Sequence, residues 1–500
     1  MQPCSNFFWR SLPLSHRTGS DIFDALFLNA SADLGAAFEL EQIAVLLESP
    51  YPLPADSLPE QATSMARYSI CAGRPRMVGD RAQLWTPEIE GILPLLRQME
   101  SLKRGEISAT TVEGAIVDCE LPFFGGWLGW LGYDFAWGIE RLPWLRDDKL
   151  PFPVALWYEP AEFAVLDHFE QTLWLAAETS SGLDRLTAQA DNSFGRHSVQ
   201  RRSASRRWKT HSLQFETQQA DFEQAVRTAK AHIRAGDVFQ VNHSLRFSAQ
   251  TNAPSWEVYR TLQQINPSPF ASYWRSPWGD IASCSPERLV QLKSGKVQSR
   301  PIAGTRPRGE TPAVDTQIAS ELRGDRKEQA EHIMLVDLER NDLGRVCEWG
   351  SVAVEELMAI ERYSHVMHLV SNVTGKLQDS TAALVASMFP GGTITGCPKV
   401  RCMEIIEAIE PVRRSLFYGS CGYFDRRGRL DLNILIRTLL LAVDSEQPAL
   451  RKGQQGNAQK ESSRMVWGQV GAGIVADSQP EREWVESLQK AKAQLLALGL

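Results

Sequence analysis

The run Pro122-Phe123-Phe124-Gly125-Gly126-Trp127-Leu128-Gly129-Trp130-Leu131-Gly132-Tyr133-Asp134 restricts the fold more than any other stretch of the chain. Glycine recurs every few residues among large aromatics, a pattern that calls for close backbone approach inside a packed sheet. The run lacks the ordered glycines and lysine of a phosphate loop, so it predicts architecture and not nucleotide binding. With 500 residues the chain exceeds one ordinary core, which predicts two domains or one domain with a large elaborated sheet.

Composition excludes several function classes. Apolar residues make up 43% and charged residues 23%, a normal globular balance, and the net charge of -7 leaves no general footprint for nucleic acid. Eight cysteines scattered without paired CxxC spacing point to a reducing compartment and away from zinc. No apolar run approaches the roughly 20 residues that span a bilayer, so no membrane association is expected. The N-terminus has no acid before Asp21 but also no secretory apolar region, which predicts a cytoplasmic protein. The basic, Ser-rich RHSVQRRSASRRWK at 196–209 reads as a solvated linker, with a nucleic-acid or acidic-partner patch as the alternative. It divides the chain into an amino-terminal domain, 1–195, a linker, 196–213, and a second domain, 214–500.

Along the chain, 39–49 ends in an apolar Leu-Leu-Glu-Ser, a Pro-rich loop follows, and 66–70 has strand character. A helix is expected over 88–103, with Pro94 as its kink or its true start. Two strands joined by Glu159-Pro160-Ala161 are expected over 154–175. A helix over 219–235 stops at Gly236, and strands follow at 238–242, 289–292, 297–299, 351–354 and 368–373. Strands at 419–424 and 432–441 read as a pair, 447–463 as a polar hairpin insertion, and 465–475 as the last strand.

Chemistry concentrates in two acidic helices. In 325–342, Glu328 and Glu331 sit three apart, so their carboxylates leave one face of a helix whose Ile333, Met334 and Val336 are available for burial. Near the C-terminus, Asp477-Ser478-Gln479-Pro480 reads as a helix start, with Glu483, Glu486 and Lys490 following on one face. Each acidic face alone reads equally as solvated surface. If the two helices face each other, they form an oxygen-rich magnesium site that keeps waters and takes substrate oxygens. The Gly/Thr loop at 391–399 opens a helix over 400–408, a place where hydroxyls and free N–H groups suit a carboxylate. Arg437, read in a strand, and His368 complete a set that fits a small dianionic substrate, although each also reads as an ion pair or a core histidine.

The order of segments is informative. SPERLV (285–290), RPIAGTRPRG (300–309), EHIMLVDLERNDLGR (331–345), YSHVMHLVSNVTG (363–375), GTITGCPKVR (392–401), IRT (436–438) and GAGIVADSQPEREW (471–484) resemble the chorismate-utilising enzymes over about 215–495. LLES, RYSI and GGWLGWLGYD resemble the amino-terminal domain of their amidating members. The resemblance implies an α/β fold of α+β type, with large antiparallel sheets flanked by helices. It implies Glu331 and Glu486 as magnesium ligands, with Glu483 and Glu328 completing the acidic shell. Gly304, Thr305, Thr395, Phe417, Arg437, Gly471, Ala472 and Gly473 are implied to contact chorismate, with His368 and Lys490 assisting. Glu287 is implied as the acid that protonates the departing 4-hydroxyl, a role that suits a carboxylic acid of raised pKa.

Gln240 stands where water-adding members carry Lys, so the resemblance implies ammonia as nucleophile. No G-x-C-x-G-x-Q glutaminase motif is present, and a separate glutamine amidotransferase subunit is implied as a heterodimer partner. QVN at 240–242, PFASY at 269–273 and GSCGY at 419–423 resemble the aminodeoxychorismate branch, whose product leads to 4-aminobenzoate and folate. Ala303 instead resembles the anthranilate branch, since many aminodeoxychorismate synthases carry a nucleophilic Lys there. An inactive subunit that only binds the amidotransferase is a third reading, opposed by the complete acid set. Ser49, Pro269, Phe270 and Ala271 fall in the segments that form a tryptophan site in anthranilate synthases, where Ala271 replaces the usual Met.

Overall fold

A computed structural model describes residues 7–28, 40–49, 65–102, 109–192, 208–362, 366–443 and 463–500. The Pro-rich loop after Ser49, most of the linker and most of the 447–463 insertion lie outside these residues. No helix among the described residues is long and apolar enough to cross a membrane.

Two large antiparallel sheets dominate, flanked by helices. The first has twelve strands, in the order Phe8–Pro13, Thr172–Ala177, Glu162–Asp167, Tyr68–Ala72, Ala44–Glu48, Phe270–Ser276, Gly279–Ser285, Thr438–Val443, Arg464–Ile474, Gln240–Thr251 and Thr210–Phe215, with Gly396–Cys397 on Gln240–Thr251. The second has ten, running from Ile302–Pro307 through Val366–Lys376, Lys296–Ser299, Arg288–Lys293, Leu430–Asn433, Ser420–Asp425, Gly126–Leu131 and Ala155–Tyr158 to Leu84–Trp85, with Ala353–Arg362 on Val366–Lys376.

Both sheets draw strands from before and after the linker segment. Ala44–Glu48 pairs with Phe270–Ser276, and Gly126–Leu131 pairs with Ser420–Asp425. Hydrogen bonding is thus continuous across the compositional boundary, and residues 210–213, read as linker, belong to the edge strand Thr210–Phe215.

The glycine-aromatic run behaves as its composition requires. Trp127, Trp130 and Trp157 are fully buried, and Trp130 meets Trp274 of the other sheet edge to face at 5.6 Å. A β-carbon at Gly129 would collide with the Leu156 carbonyl and the Trp157 ring.

Several expectations are corrected. The span 154–175 holds three strands or parts of them, and Glu159–Ala161 carries the chain from the second sheet to the first. The crossing is held by buried Glu159, whose carboxylate takes Arg76 at 3.0 Å and Arg426 at 2.8 Å. The span 432–441 is not one strand: Leu430–Asn433 lies in the second sheet and Thr438–Val443 in the first. Arg437 therefore sits at a crossing, with φ of 51°, and not within a strand. Pro94 lies inside the helix Ile89–Ser101. A helix at Pro312–Gly324, which the polar sequence hid, precedes the acidic helix Arg326–Gly344. That acidic helix buries His332, Leu335, Val336, Leu338 and Glu339, whereas Ile333 is 55% exposed.

Gly129→Ala is expected to destabilise the fold by about 3 kcal/mol, because neither the carbonyl nor the buried indole can retreat. Denaturant titration of the variant against the parent chain measures it.

Candidate active site

The site is built where the chain changes sheets. Gly279–Ser285 belongs to the first sheet and Arg288–Lys293 to the second, so Glu287 lies at their crossing. The Arg437 crossing runs beside it. Ile434 N–H donates to the Glu287 carbonyl at 3.0 Å, and Cys284 N–H to the Arg437 carbonyl at 3.2 Å.

Glu287 is buried, and burial together with the charge of Glu339 pushes its carboxyl up to about 8, against the downward pull of the Thr393 hydroxyl, the Ile302 N–H and Arg437. It therefore holds a proton at neutral pH. Glu339 is itself buried and pushed up to about 7 by burial and Asp342; it accepts from the Ser299 hydroxyl at 2.8 Å. Arg437 donates to Asn266 Oδ1 at 2.9 Å. His368 is fully enclosed, and burial followed by the nearby Arg437 charge presses it down to about 3, so it is neutral. Its Nδ1 lies 3.0 Å from Thr305 Oγ1 and 3.3 Å from the Gly304 carbonyl. Gly304 has φ of 60°, and a β-carbon there would come within 3.0 Å of Glu328 Oε2. Glu328 accepts from Arg306 at 3.2 Å.

On the facing strand, Gln240 Nε2 donates to Glu331 Oε1 at 2.8 Å. Two glycines leave room for this row. A β-carbon at Gly473 would strike the Gln240 amide and lie 3.3 Å from Glu331 Oε1; one at Gly471 would lie 2.9 Å from both Asn242 Oδ1 and Tyr418 OH. Ala472, between them, points into the apolar core, so only its backbone faces the site.

The second acidic helix, Pro480–Ala497, buries Glu483 and leaves Glu486 half-exposed, paired with Lys490 at 2.9 Å. Lys490 also donates to the Gly471 carbonyl at 2.9 Å. Burial, aided by Glu486, raises the proton affinity of Glu483; burial, aided by Glu328, raises that of Glu331. Lys327 and Lys490 act on both Glu331 and Glu483, so the two acidic helices share one electrostatic space. The carboxylates are of the hard type magnesium takes, and a cation would relieve their repulsion. Among the described residues no three acidic, His or Cys side chains already converge as a metal cluster.

Two implied substrate contacts are placed differently by the structure. Phe417 is buried in the core, with the Arg246 guanidinium 5.4 Å from its ring, and the aromatic facing the glycine row is its neighbour Tyr418. Thr395 is enclosed and donates its hydroxyl to the Gly391 carbonyl at 2.9 Å, whereas Thr393 faces Glu287. The sequence marks Asn242 only as part of QVN, without a role in the site, and does not single out Glu339. Period-two spacing from Gln240 puts Asn242 on the same strand face, and helical spacing from Glu331 and Glu328 puts Glu339 on theirs.

Away from the acids, Ser49, Pro269, Phe270 and Ala271 come together in a cavity of about 130 Å³ that Tyr68, Arg288 and Tyr423 also line. Ser49 Oγ is 2.6 Å from the Pro269 carbonyl. Arg288 follows Glu287 directly, so the cavity and the crossing share one piece of backbone.

Gly473→Ala is expected to displace Gln240 from Glu331 and to cut turnover at least about tenfold with an unchanged melting temperature, since the added methyl meets a side chain able to swing away. Paired kinetic and thermal measurements check it.

Residues 90–496 match the family model for chorismate binding enzymes. A Synechocystis protein named anthranilate synthase component I-like is 54% identical over 494 residues, 98% of this chain and 91% of the relative. The same organism's anthranilate synthase component 1 is 39% identical over 404 residues, 75% of this chain and 77% of that relative. Aminodeoxychorismate synthase component 1 of Bacillus subtilis is 43% identical over 399 residues, 76% and 78% of the two chains. The crystal structure of anthranilate synthase component I from Streptococcus pneumoniae matches with a TM-score of 0.69 at 28% identity, covering 90% of this chain and 95% of that one. The chain belongs to the chorismate binding enzymes, in the class that holds the anthranilate and aminodeoxychorismate synthases.

Proposed function

We propose that the chain replaces the 4-hydroxyl of chorismate by an amine, forming 4-amino-4-deoxychorismate from ammonia supplied by a separate glutamine amidotransferase subunit. The observation that carries the reading is Glu287, a carboxylic acid held protonated at neutral pH beside Arg437, on a site whose opposite wall presents the neutral amide of Gln240. Arg437 and the Gly304-Thr305 backbone receive the substrate's anionic groups. Glu287 gives its proton to the departing hydroxyl, the ammonia lone pair forms the C–N bond, and the proton shed by the new ammonium returns to Glu287. Atoms balance as ammonia in and water out. Neutral His368, held against Thr305, lines the substrate without adding charge.

Glu331 and Glu486 are the proposed magnesium ligands, with Glu483 and Glu328 beside them. Bound there, the ion would hold a substrate carboxylate and draw electron density from the ring. Burial first, and the neighbouring carboxylates of Glu328 and Glu486 second, raise the proton affinity of Glu331 and Glu483, a cost that a bound cation would offset.

Anthranilate formation is the second reading. It is favoured by Ala303, which leaves no lysine nucleophile at that position, and by the anthranilate synthase relatives. The aminodeoxychorismate reading draws support from the Bacillus subtilis relative, and from the Synechocystis relative, which stands beside a separately named anthranilate synthase in one organism. A subunit that only binds an amidotransferase would need no protonated Glu287.

Incubation with chorismate, ammonia and magnesium is expected to give a product that yields 4-aminobenzoate only after a separate lyase is added. Anthranilate appearing without lyase, and suppressed by tryptophan, would establish the second reading and assign the Ser49–Ala271 cavity to that inhibitor. Purified chain is expected to use ammonia and not glutamine, because no glutaminase nucleophile is present.

Turnover, expressed on free ammonia, is expected to fall as pH rises through about 8, since Glu287 acts in its protonated form and loses that proton there. Glu287→Gln is expected to lower turnover by about 100-fold or more and to abolish that limb. Glu331→Gln and Glu486→Gln are expected to remove magnesium-dependent turnover with the fold retained; wild-type rates in either would reject the metal assignment.

A further inference from the structure

Gln240 and Asn242 stand two residues apart on the strand Gln240–Thr251, so both side chains leave the same face. Their amide orientations are fixed by what the nitrogens do. Gln240 Nε2 donates to the Glu331 carboxylate at 2.8 Å, and Asn242 Nδ2 donates to the Thr393 carbonyl at 3.2 Å. A flip of either amide would set an oxygen against an oxygen, so Gln240 Oε1 and Asn242 Oδ1 are the ends left over. Both oxygens are buried, and neither accepts a hydrogen bond from any described group of the chain. A buried amide oxygen without a donor is destabilising, and a ligand donor removes that cost.

The surroundings select the donor. Opposite the pair lie Gly471 and Gly473, whose missing side chains keep the space beside both amides open. Tyr418 OH borders it from a third side. Neither acceptor carries charge, and Lys490, donating to the Gly471 carbonyl, stands at the same edge. With the bordering Glu331 oxygen already taken by Gln240 Nε2 and Lys490 paired with Glu486, the two free acceptors are neutral amide oxygens, which suit a small molecule carrying several N–H donors.

We propose that Asn242 and Gln240 together form the ammonia-binding subsite, with Asn242 Oδ1 and Gln240 Oε1 each accepting one N–H and leaving the nitrogen lone pair directed at the substrate. This rests on the amination reading but not on which ring carbon is aminated. Asn242, which the sequence marks only as part of QVN, is thereby a specificity-determining residue. Its own tether to the Thr393 carbonyl links the subsite to the loop that faces Glu287, so nucleophile and acid are placed by one hydrogen-bonded segment.

Steady-state kinetics of the full chain with ammonium chloride and chorismate test it, with each substrate varied against saturating amounts of the other. Asn242→Ala is expected to raise the KM for ammonia at least about tenfold and to leave the KM for chorismate within about twofold. Asn242→Asp, nearly isosteric, brings a carboxylate that takes ammonium, and is expected to make ammonium chloride inhibitory at pH 7 where the parent chain is not inhibited. An unchanged KM for ammonia in Asn242→Ala, or equal rises in both KM values, would overturn the subsite while leaving the amination reading intact. Should Asn242→Ala not fold, Asn242→Asp decides: no ammonium inhibition there would overturn it equally. A parent chain that forms no amine at any ammonia concentration would instead reject the amination reading itself.

Discussion

The buried pair of Arg414 and Glu410 holds the site's separate pieces in register. Arg414 donates to both Glu410 oxygens, at 3.0 and 2.7 Å, and its remaining N–H groups reach the carbonyls of Ile394 and Asn242, each at 2.7 Å. Its guanidinium lies 4.8 Å from the Tyr133 ring and 4.7 Å from that of Tyr418. One side chain thus touches the Gly/Thr loop, the strand of Gln240, the aromatic beside Gly471 and the glycine-aromatic segment. Glu410 also accepts from Ser244 N–H at 2.7 Å, which fixes the same strand a second time. Such a pair adds little net stability over an apolar replacement, but losing one partner strands a charge in the interior at a cost of about 3–5 kcal/mol. Its value here is registration: Arg's planar fork sets angles that an apolar contact would leave free.

Around that anchor, the two sheets meet at crossings, and two of the candidate site residues occupy them. Glu287 and Arg437 sit on neighbouring crossings because a residue between two strands is released from ladder pairing and free to present its side chain inward. The left-handed backbone at Arg437 is part of this, since a non-glycine residue holds φ of 51° only where surrounding contacts determine it. The acids have a different origin. Glu328, Glu331 and Glu339 ride one face of a single helix, spaced by its own period, so one rigid element carries both the carboxylates that meet Arg306 and Gln240 and the buried acid that acts on Glu287.

What the sequence made legible follows from this division. Groups placed by a regular period were read correctly in place: the acid pairs on two helices, and the glycines alternating at 471 and 473 on a strand. Groups placed by crossings were not, because the apolar runs 154–175 and 432–441 continue through the break and carry no local sign that the partner strand changes. Phe417 and Tyr418 illustrate the limit most sharply. Both are aromatic and adjacent; Tyr418, with a φ of 65° that nothing in the sequence signals, is the one whose hydroxyl reaches the glycine row. The helix Pro312–Gly324 escaped notice because only a thin apolar edge, Ala319 and Leu322, is buried.

The pairing of Gly126–Leu131 with Ser420–Asp425 has a bearing on how the chain comes into being. During synthesis the tryptophan-rich strand leaves the ribosome long before residues 420–425 exist, and until then one of its edges lacks its partner while its indoles have no complete core. Low local contact density of this kind slows folding and leaves apolar strand edges open to other chains. The fold therefore resists being cut into an independently folding amino-terminal piece.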